Sequence, residues 1–201
     1  MPGITFPKAQ EGSSLTAEEQ EGVDRAVHEL QKAGAKTLTA DCGFLAYYAK
    51  ELTARATVPV VTSSLVQVPL LSCVLGSGGC EDMLVLTANG DSVRPLLSRV
   101  LPHYSARLVV GDCRSCPGFD AVAKGTPVDT QALTPHVVDL VRREMASRPS
   151  IKAVLLECTQ LPPFAAAIRQ SLKVPVLDIV TATEYVFAAV GGPGPTSLPA
   201  A

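Results

Sequence analysis

The strongest constraint on the fold is a pattern that occurs twice along the chain. Residues 37–48 read TLTADCGFLAYY and residues 153–164 read AVLLECTQLPPF. In each copy an apolar stretch predicts a buried strand, an acid and a cysteine follow it, and a helix begins shortly afterwards. After one amphipathic helix, each copy continues into a short strand that opens with Val-Pro-Val, at residues 58–60 and 174–176. We interpret the chain as a weak duplication of one strand-turn-helix unit.

The rest of the chain continues this alternation of strand and helix patterns. Such alternation is typical of an α/β fold with mostly parallel sheets and helices on both faces. We predict a single unit over residues 1–201 with two pseudo-symmetric lobes. One lobe takes about residues 1–75 together with 165–190, and the other takes about residues 80–165.

Four segments rich in glycine or proline are predicted to lack regular structure. Residues 1–13 predict an irregular lead-in, and residues 76–79 predict a flexible loop. Residues 112–127 predict a long loop at the rim of the sheet with at most one helical turn. Residues 191–201 predict a disordered tail.

Composition excludes several classes of function. The formal net charge is -2 and basic residues are not clustered, which disfavours a nucleic-acid surface. No apolar run reaches the roughly 18 to 20 residues that a membrane span needs, and the first residues lack a signal-peptide pattern. We therefore expect a soluble intracellular protein with no nucleic-acid or membrane partner, cytoplasmic by default, with a plastid location left open.

Two of the six cysteines, Cys42 and Cys158, directly follow the duplicated strands. The carboxyl ends of parallel strands meet at one edge of a sheet, so we expect both thiols to face one cleft. A lone cysteine is most often a small core residue, but two in matching positions indicate catalysis. Backbone N–H groups at the following helix starts are expected to lower the thiol pKa. Two facing thiols indicate proton transfer at a carbon atom.

Other residues at the strand ends are candidates for binding or anchoring. Asp41 and Glu157 precede the cysteines, and strand alternation predicts that each carboxylate points away from its neighbouring thiol and accepts backbone N–H bonds in the turn. Hydroxyl, amide and turn groups at strand ends suit a substrate carboxylate, although helix capping explains them almost as well. The candidate substrate-binding residues are Gly43, Tyr47, Ser63, Ser64, Thr87, Asn89 and Thr159.

A C-x-x-C motif at Cys113 and Cys116 is compatible with redox chemistry or with half of a zinc site. A structural zinc site needs four ligands, and the sequence offers neither a second cysteine pair nor closely spaced histidines. Phosphate-loop, dinucleotide and serine-hydrolase motifs are absent from the sequence. We therefore expect no metal and no cofactor.

Several stretches together resemble the aspartate/glutamate racemase superfamily, and within it the Alma-type dimethylsulfoniopropionate (DMSP) lyases of algae. The resemblance covers residues 2–190 and is most specific in DCGF and LECTQLPPF. The stretches that carry it are PGITF at residues 2–6, DCGFLAYY at 41–48, TSSLVQVP at 62–69, LTANG at 86–90, CPGFDAVAKGTPVD at 116–129 and LLECTQLPPF at 155–164.

The resemblance implies a pseudo-twofold fold and a catalytic pair formed by Cys42 and Cys158, acting without a cofactor on a small carboxylate. It further implies a homo-oligomer, a dimer or tetramer, and cleavage of DMSP to dimethyl sulfide and acrylate. Aromatic residues near the cysteines would either hold the sulfonium by cation-π contact or pack helix against sheet. These aromatic residues are Phe44, Tyr47, Tyr48 and Phe164.

Two departures from the lyase pattern leave alternatives open. Relatives carry a first strand and a glycine-rich segment before the PG-x-TF stretch, so we expect that strand to be missing here. Ala49 stands where the lyases are expected to have Gln. The alternatives are a two-cysteine amino-acid racemase and a catalytically silent homologue.

Overall fold

The computed structural model describes residues 4–75 and 81–191. The strands are β1 (Leu38–Thr39), β2 (Val60–Val61), β3 (Asp82–Thr87), β4 (Leu108–Asp112), β5 (Ile151–Leu156) and β6 (Val176–Leu177). The α-helices are α1 (Phe6–Glu11), α2 (Ala17–Lys32), α3 (Ala49–Arg55), α4 (Val68–Val74), α5 (Gly90–Val100), α6 (Asp120–Lys124), α7 (Thr130–Ser147), α8 (Ala165–Leu172) and α9 (Ile179–Ala189). Short 3-10 helices are η1 (Gly43–Tyr48), η2 (Ser64–Gln67), η3 (Ser105–Arg107), η4 (Cys113–Ser115) and η5 (Pro162–Phe164).

The strands form two parallel sheets. β1 pairs with β2, and the larger sheet has the order β4-β3-β5-β6. At its centre Val85 lies opposite Val110 on one side and Leu155 on the other. The predicted α/β class with mostly parallel sheets is confirmed. β3 and β5 lie side by side in the middle of the larger sheet, so the residues that follow them emerge next to each other.

Alternate residues of β3 and β5 are buried on opposite faces of the sheet, as the period of a strand requires. Val85 and Leu155 belong to a core with α2, η1 and α5. Leu84 and Leu156 belong to a second core with α7 and α8. Complete burial of such side chains contributes about 1.5 to 3 kcal/mol each. The two cores fix the central strands and thereby the turns at their carboxyl ends.

The irregular lead-in predicted for the start of the chain is wrong, because residues 6–11 form α1. The Thr5 side chain accepts a hydrogen bond from the Lys8 N–H, and Pro7 occupies the first turn, where its missing N–H costs nothing. Gly12 ends the helix at φ 61°, a left-handed conformation that glycine adopts without strain. The proline and glycine that suggested irregularity are therefore the start and stop signals of a short helix.

Other predicted boundaries hold in part. The rim loop contains the short 3-10 helix η4 as well as α6, which is more than the single helical turn expected. The loop predicted at residues 76–79 lies outside the described residues, as does the predicted tail beyond Gly191. The division into two lobes stays a prediction. Of the segment 165–190 that was assigned to the first lobe, β6 pairs with β5 of the other lobe, whereas α9 packs on β2 and η2 of the first lobe. In the described ranges no helix has both the length and the apolar character needed to cross a membrane.

Between residues 4 and 37 the described chain forms two helices and no strand. α2 begins at a capping box, in which Thr16 and Glu19 exchange side-chain and backbone hydrogen bonds, as its sequence predicts. Val23 and Val27, one turn apart, bury the inner side of this helix in the first core. α2 thereby packs into the first core beside α3.

Candidate active site

A cavity of about 520 Å³ lies beyond the carboxyl ends of β1 and β5, within the size range of small-molecule sites. Five segments enclose it: the start of α1 and the turns after β1, β3 and β5, together with the loop that carries α6. Its lining residues are Ile4, Thr5, Phe6, Ala9, Asp41, Cys42, Gly43, Phe44, Leu45, Ala88, Val122, Gly125, Thr126, Val128, Glu157, Cys158, Thr159 and Gln160.

Both predicted catalytic cysteines line this cavity, so the structure brings Cys42 and Cys158 together as the duplication predicts. Each thiol is half-buried. The two turns are also joined directly, because the Thr159 hydroxyl donates a hydrogen bond to the backbone carbonyl of Asp41. The catalytic role of the two cysteines stays a prediction, but their shared position is a property of the fold.

Burial dominates the acidity of both thiols. It raises the pKa of Cys42 to about 11 and that of Cys158 to about 12. Backbone N–H groups of Phe44 and Gln160 donate hydrogen bonds that favour the two thiolates, and the negative charge of Glu157 opposes both. The charge of Cys42 also raises the pKa of Cys158, as expected for neighbouring thiols. In the protein without a bound ligand, the prediction that backbone N–H groups lower the pKa of each thiol is therefore wrong.

Glu157 lies between the two cysteine turns with its side chain 1% exposed. Its Oε2 accepts a hydrogen bond of 2.7 Å from the Thr87 hydroxyl, and its Oε1 is buried without a partner among the described residues. The prediction that this carboxylate accepts backbone N–H bonds is wrong, since Thr87 donates from a side chain. Burial raises the pKa of Glu157 to about 7, and the Thr87 hydrogen bond opposes that rise.

Gly43 packs directly against Glu157. A Cβ atom at this position would lie 2.1 Å from Glu157 Oε1 and 2.4 Å from the Glu157 backbone oxygen. Both distances are far below van der Waals contact, so no larger residue fits without moving one of the two turns. The absence of a side chain at Gly43 is what lets the two cysteine turns approach each other.

Gly43 and Thr159 are the predicted substrate-binding residues that line the cavity. Tyr47, Ser63, Ser64, Thr87 and Asn89 are not among its lining residues, and each makes a contact that stabilises the fold. The Ser63 side chain accepts from the Leu65 N–H, and Asn89 Oδ1 accepts from the first amides of α5. Any direct contact of these five residues with a substrate stays a prediction.

Tyr47 and Ser64 stabilise the protein away from the cavity. The Arg99 guanidinium lies 5.0 Å from the centre of the Tyr47 ring, whose atoms also pack against Gly12. The Ser64 hydroxyl donates a buried hydrogen bond of 2.8 Å to the backbone carbonyl of Leu156 at the end of β5. This bond ties η2 to the strand that carries the second cysteine turn.

We expect Ser64→Ala to lower the free energy of unfolding by about 1 to 3 kcal/mol, because the buried Leu156 carbonyl loses its hydroxyl partner. Urea unfolding of the two proteins measures this difference. At temperatures where the Ser64→Ala protein is folded, its KM for substrate should equal that of the unchanged protein. A large rise in KM without a loss of stability would instead make Ser64 a substrate-binding residue.

An aromatic pair lies at the cavity, and its member Phe6 was missed from the sequence, whereas Phe44 was a predicted aromatic candidate. Phe6 and Phe44 both line it, with ring centres 6.2 Å apart in an edge-to-face arrangement. Phe44 is buried, whereas Phe6 on α1 is 46% exposed. Tyr48 and Phe164, the other aromatic candidates, do not line the cavity and are buried in the two cores. In the sequence, the capping residue Thr5 and Pro7 in the first turn are the signals of a helix start at Phe6, and in the structure this helix start lies beside the site.

The ionisable groups of the cavity are all acidic. Among its described lining residues, Asp41, Glu157 and the two thiols are the groups that can carry charge, and no lysine, arginine or histidine is present. A ligand with two carboxylates and one ammonium group would bring a net negative charge into this cavity. A ligand with one cationic and one anionic group is a better electrostatic match.

The C-x-x-C cysteines lie behind the site and do not line it. Cys113 and Cys116 are both buried, and the Cys116 thiol donates to the His136 carbonyl at 3.6 Å. Within the part of the chain that the structure describes, no group of three or more His, Cys, Asp or Glu side chains is arranged to hold a metal. The two thiols lie within hydrogen-bonding reach of each other, and a zinc site at this motif gains no support from the described residues.

Comparison with known proteins agrees with the geometry. Residues 2–183 match the Asp/Glu/Hydantoin racemase family. The chain is 40% identical over 195 residues to dimethylsulfoniopropionate lyase 5 of Emiliania huxleyi, covering 93% of this chain and 38% of that protein. It is 34% identical over 191 residues to the dimethylsulfoniopropionate lyase of Durusdinium sp. clade D, covering 92% of this chain and 62% of that protein. The chain thus spans between 38% and 62% of the length of these two curated relatives.

Solved structures share the fold at lower identity. Unliganded arylmalonate decarboxylase matches with a TM-score of 0.61 and 24% identity, over 94% of this chain and 82% of that one. An aspartate racemase homologue from Pyrococcus horikoshii matches with a TM-score of 0.62 and 17% identity, over 93% of this chain and 80% of that one. These similarities support the architecture and carry no information about the substrate.

Proposed function

The chain belongs to the Asp/Glu/hydantoin racemase family, and we propose that it is a cofactor-independent lyase that cleaves DMSP to dimethyl sulfide and acrylate. Relatives that are 34% and 40% identical carry the name DMSP lyase, which supports this choice within the family. The observation that carries the proposal is the cavity itself. It combines two thiols with an aromatic pair and acidic groups, and its described lining residues include no basic side chain.

The proposed reaction begins with removal of a proton from the carbon next to the substrate carboxylate. A cysteine thiolate accepts this proton, and backbone N–H groups at the cysteine turns stabilise the negative charge that develops on the carboxylate. The electron pair then forms the carbon-carbon double bond while the bond to sulfur breaks. Dimethyl sulfide leaves as a neutral molecule, acrylate remains, and the proton passes from the thiol to solvent.

A racemase would share the first step and differ in the second. With a poor leaving group on the neighbouring carbon, the opposite thiol returns a proton on the other face and inverts the centre. Aspartate and glutamate carry a net negative charge at neutral pH, which the acidic lining of this cavity disfavours. DMSP has one sulfonium and one carboxylate and brings no net charge. The charge of the cavity therefore favours the lyase over the amino-acid racemase.

The sulfonium also offers a means of activating the base. Burial keeps the thiol pKa near 11 and 12, so very little thiolate forms at neutral pH in the protein alone. A positive charge within about 4 to 6 Å of an acid favours its ionised form. Entry of the sulfonium is thus expected to lower the pKa of both thiols, so that the base forms when its substrate is present.

Phe6→Leu is expected to raise the KM for DMSP by about 2- to 5-fold, because loss of a partly exposed cation-π contact costs about 0.5 to 1 kcal/mol. Phe6 is 46% exposed, so the change should leave the fold intact. Steady-state kinetics measure the effect, with Leu30→Ala on an exposed part of α2 as the control. An unchanged KM would remove Phe6 from the binding site.

The proposal is tested by incubating the purified, reduced protein separately with DMSP, L-aspartate and L-glutamate in deuterated water. We expect dimethyl sulfide and acrylate from DMSP and no alpha-deuterated D-amino acid from the other two. Gas chromatography and NMR distinguish the products. Deuterated D-amino acid without dimethyl sulfide would establish the racemase instead, and no product from any substrate would favour a catalytically silent homologue.

A further inference from the structure

The Glu157 carboxyl has a location that the proposed reaction does not use. It is buried between the two cysteine turns, one oxygen is held by Thr87, and the other faces Gly43 without a hydrogen-bond partner among the described residues. Burial with one unpaired oxygen disfavours the anionic form of a carboxyl, and a positive charge that comes near it stabilises that form. Among the described lining residues the protein supplies no such charge.

We propose that Glu157 is a specificity-determining residue that favours cationic substrates, because its carboxyl releases a proton when a positive charge enters the cavity. The inference rests on the proposed function, in which the substrate carries a sulfonium. Glu157 acts through space, since its side chain is almost fully covered. The resulting anion attracts the cationic end of the substrate and adds to its affinity.

The groups around Glu157 determine the direction of this effect. The two thiols are its titratable neighbours, Asp41 is the other acid that acts on Cys42, and β3 contributes the neutral Thr87. A cation favours ionisation of Glu157 and of both thiols. Because burial raises the pKa of Glu157 to about 7, the carboxyl is mostly protonated at pH 5.5 and mostly ionised at pH 8. Affinity for a cation should therefore rise across this interval.

Glycine betaine is a suitable probe, because it joins a quaternary ammonium to a carboxylate and has no beta carbon from which a group can leave. Isothermal titration in buffers of different ionisation enthalpy gives both its Kd and the number of protons released. We expect the unchanged protein to bind glycine betaine about 10-fold more tightly at pH 8 than at pH 5.5, with proton release near pH 6.5. Glu157→Gln keeps an oxygen for Thr87 and should bind equally weakly at both pH values.

Two further variants make the result specific. Thr87→Val removes the hydrogen bond that favours the ionised carboxyl, so the pH at which affinity changes should move upward. Glu29→Gln removes an exposed acid of α2 that lies outside the cavity, and it should behave like the unchanged protein. Circular dichroism shows whether each variant is folded. If Glu157→Gln is unfolded, the inference is tested by Thr87→Val alone, through the change in the pH at which affinity for glycine betaine rises.

The inference is overturned if the unchanged protein fails to bind the probe, if its affinity is the same at both pH values, or if Glu157→Gln keeps the pH dependence. Its failure can be told apart from failure of the proposed function. Dimethyl sulfide release with pH-independent probe binding would reject the role of Glu157 alone. Probe binding that depends on Glu157 in a protein that releases no dimethyl sulfide would reject the lyase and leave the role of Glu157 standing.

Discussion

Cys158→Ala is expected to lower kcat for dimethyl sulfide release by about 10²- to 10⁴-fold, the usual contribution of a general base. Cys158 lines the cavity at the end of the central strand β5 and receives a hydrogen bond from the Gln160 N–H, which favours its thiolate. Alanine leaves no group to accept the proton. The measurement is gas chromatography of dimethyl sulfide over a range of DMSP concentrations.

Cys42→Ala separates the lyase from a racemase. Dimethyl sulfide leaves as a neutral molecule, so the lyase needs no acid on the opposite face and should keep more activity without Cys42 than without Cys158. A racemase needs both thiols equally. Cys73→Ala, on an exposed part of α4, is the matched control and should be fully active. Equal activity of Cys158→Ala and the unchanged protein, with both folded, would contradict the assignment of the base.

Gly43→Ala is expected to lower the free energy of unfolding by about 1 to 3 kcal/mol, the usual cost of overpacking. The added Cβ would lie 2.1 Å from Glu157 Oε1 and 2.4 Å from the Glu157 backbone oxygen, so the two cysteine turns must separate. A displacement of about 1 Å in a catalytic site costs about 10²-fold in rate. Thermal unfolding and turnover of DMSP measure the two effects.

Gly34→Ala is the control for the general cost of replacing a glycine. Gly34 has φ 91°, so alanine is strained there, but its Cβ would meet no atom within 4 Å and the residue does not line the cavity. This variant should lose stability without losing turnover once folded. If Gly43→Ala keeps full activity at a temperature where it is folded, the close approach at Gly43 does not matter for catalysis.

Much of the architecture follows from residue patterns. The fully buried run of β3 and the two strand-acid-cysteine turns predict parallel strands whose carboxyl ends carry both thiols. The expectation of one shared sheet edge is wrong, since Cys42 follows β1 of the smaller sheet and Cys158 follows β5 of the larger one, yet both turns reach the same cavity. Cys42 and Cys158 could nevertheless be predicted to share a cleft. That inference required no knowledge of side-chain rotamers.

Side-chain partners could not be predicted in the same way. Ser64 and Thr87 end strands or begin helices, as substrate binders often do, yet their hydroxyls donate to Leu156 and Glu157. Which acceptor a hydroxyl reaches depends on contacts between residues far apart in sequence. The thiol pKa was misjudged for a similar reason, since burial by distant segments outweighs the local N–H donors.

The start of the chain gives a third case. A short helix with proline in its first turn and glycine at its end has the same composition as a loop, so α1 and its Phe6 were missed. Val122, Gly125, Thr126 and Val128 line the cavity from the rim loop that carries α6. The CPGFDAVAKGTPVD stretch that contains them carries the family resemblance but does not indicate which of its residues face the site. Only the packing of that loop against the two turns brings them to the site.

The proposed base Cys158 and the second thiol, Cys42, line one cavity in the structure, and this shared position is the central structural claim. The most direct test treats the native, reduced protein with a short thiol-to-thiol crosslinker and identifies the joined peptides by mass spectrometry. We expect a bridge between Cys42 and Cys158 that glycine betaine suppresses. Efficient bridging of other cysteine pairs, with none between Cys42 and Cys158, would contradict the shared site.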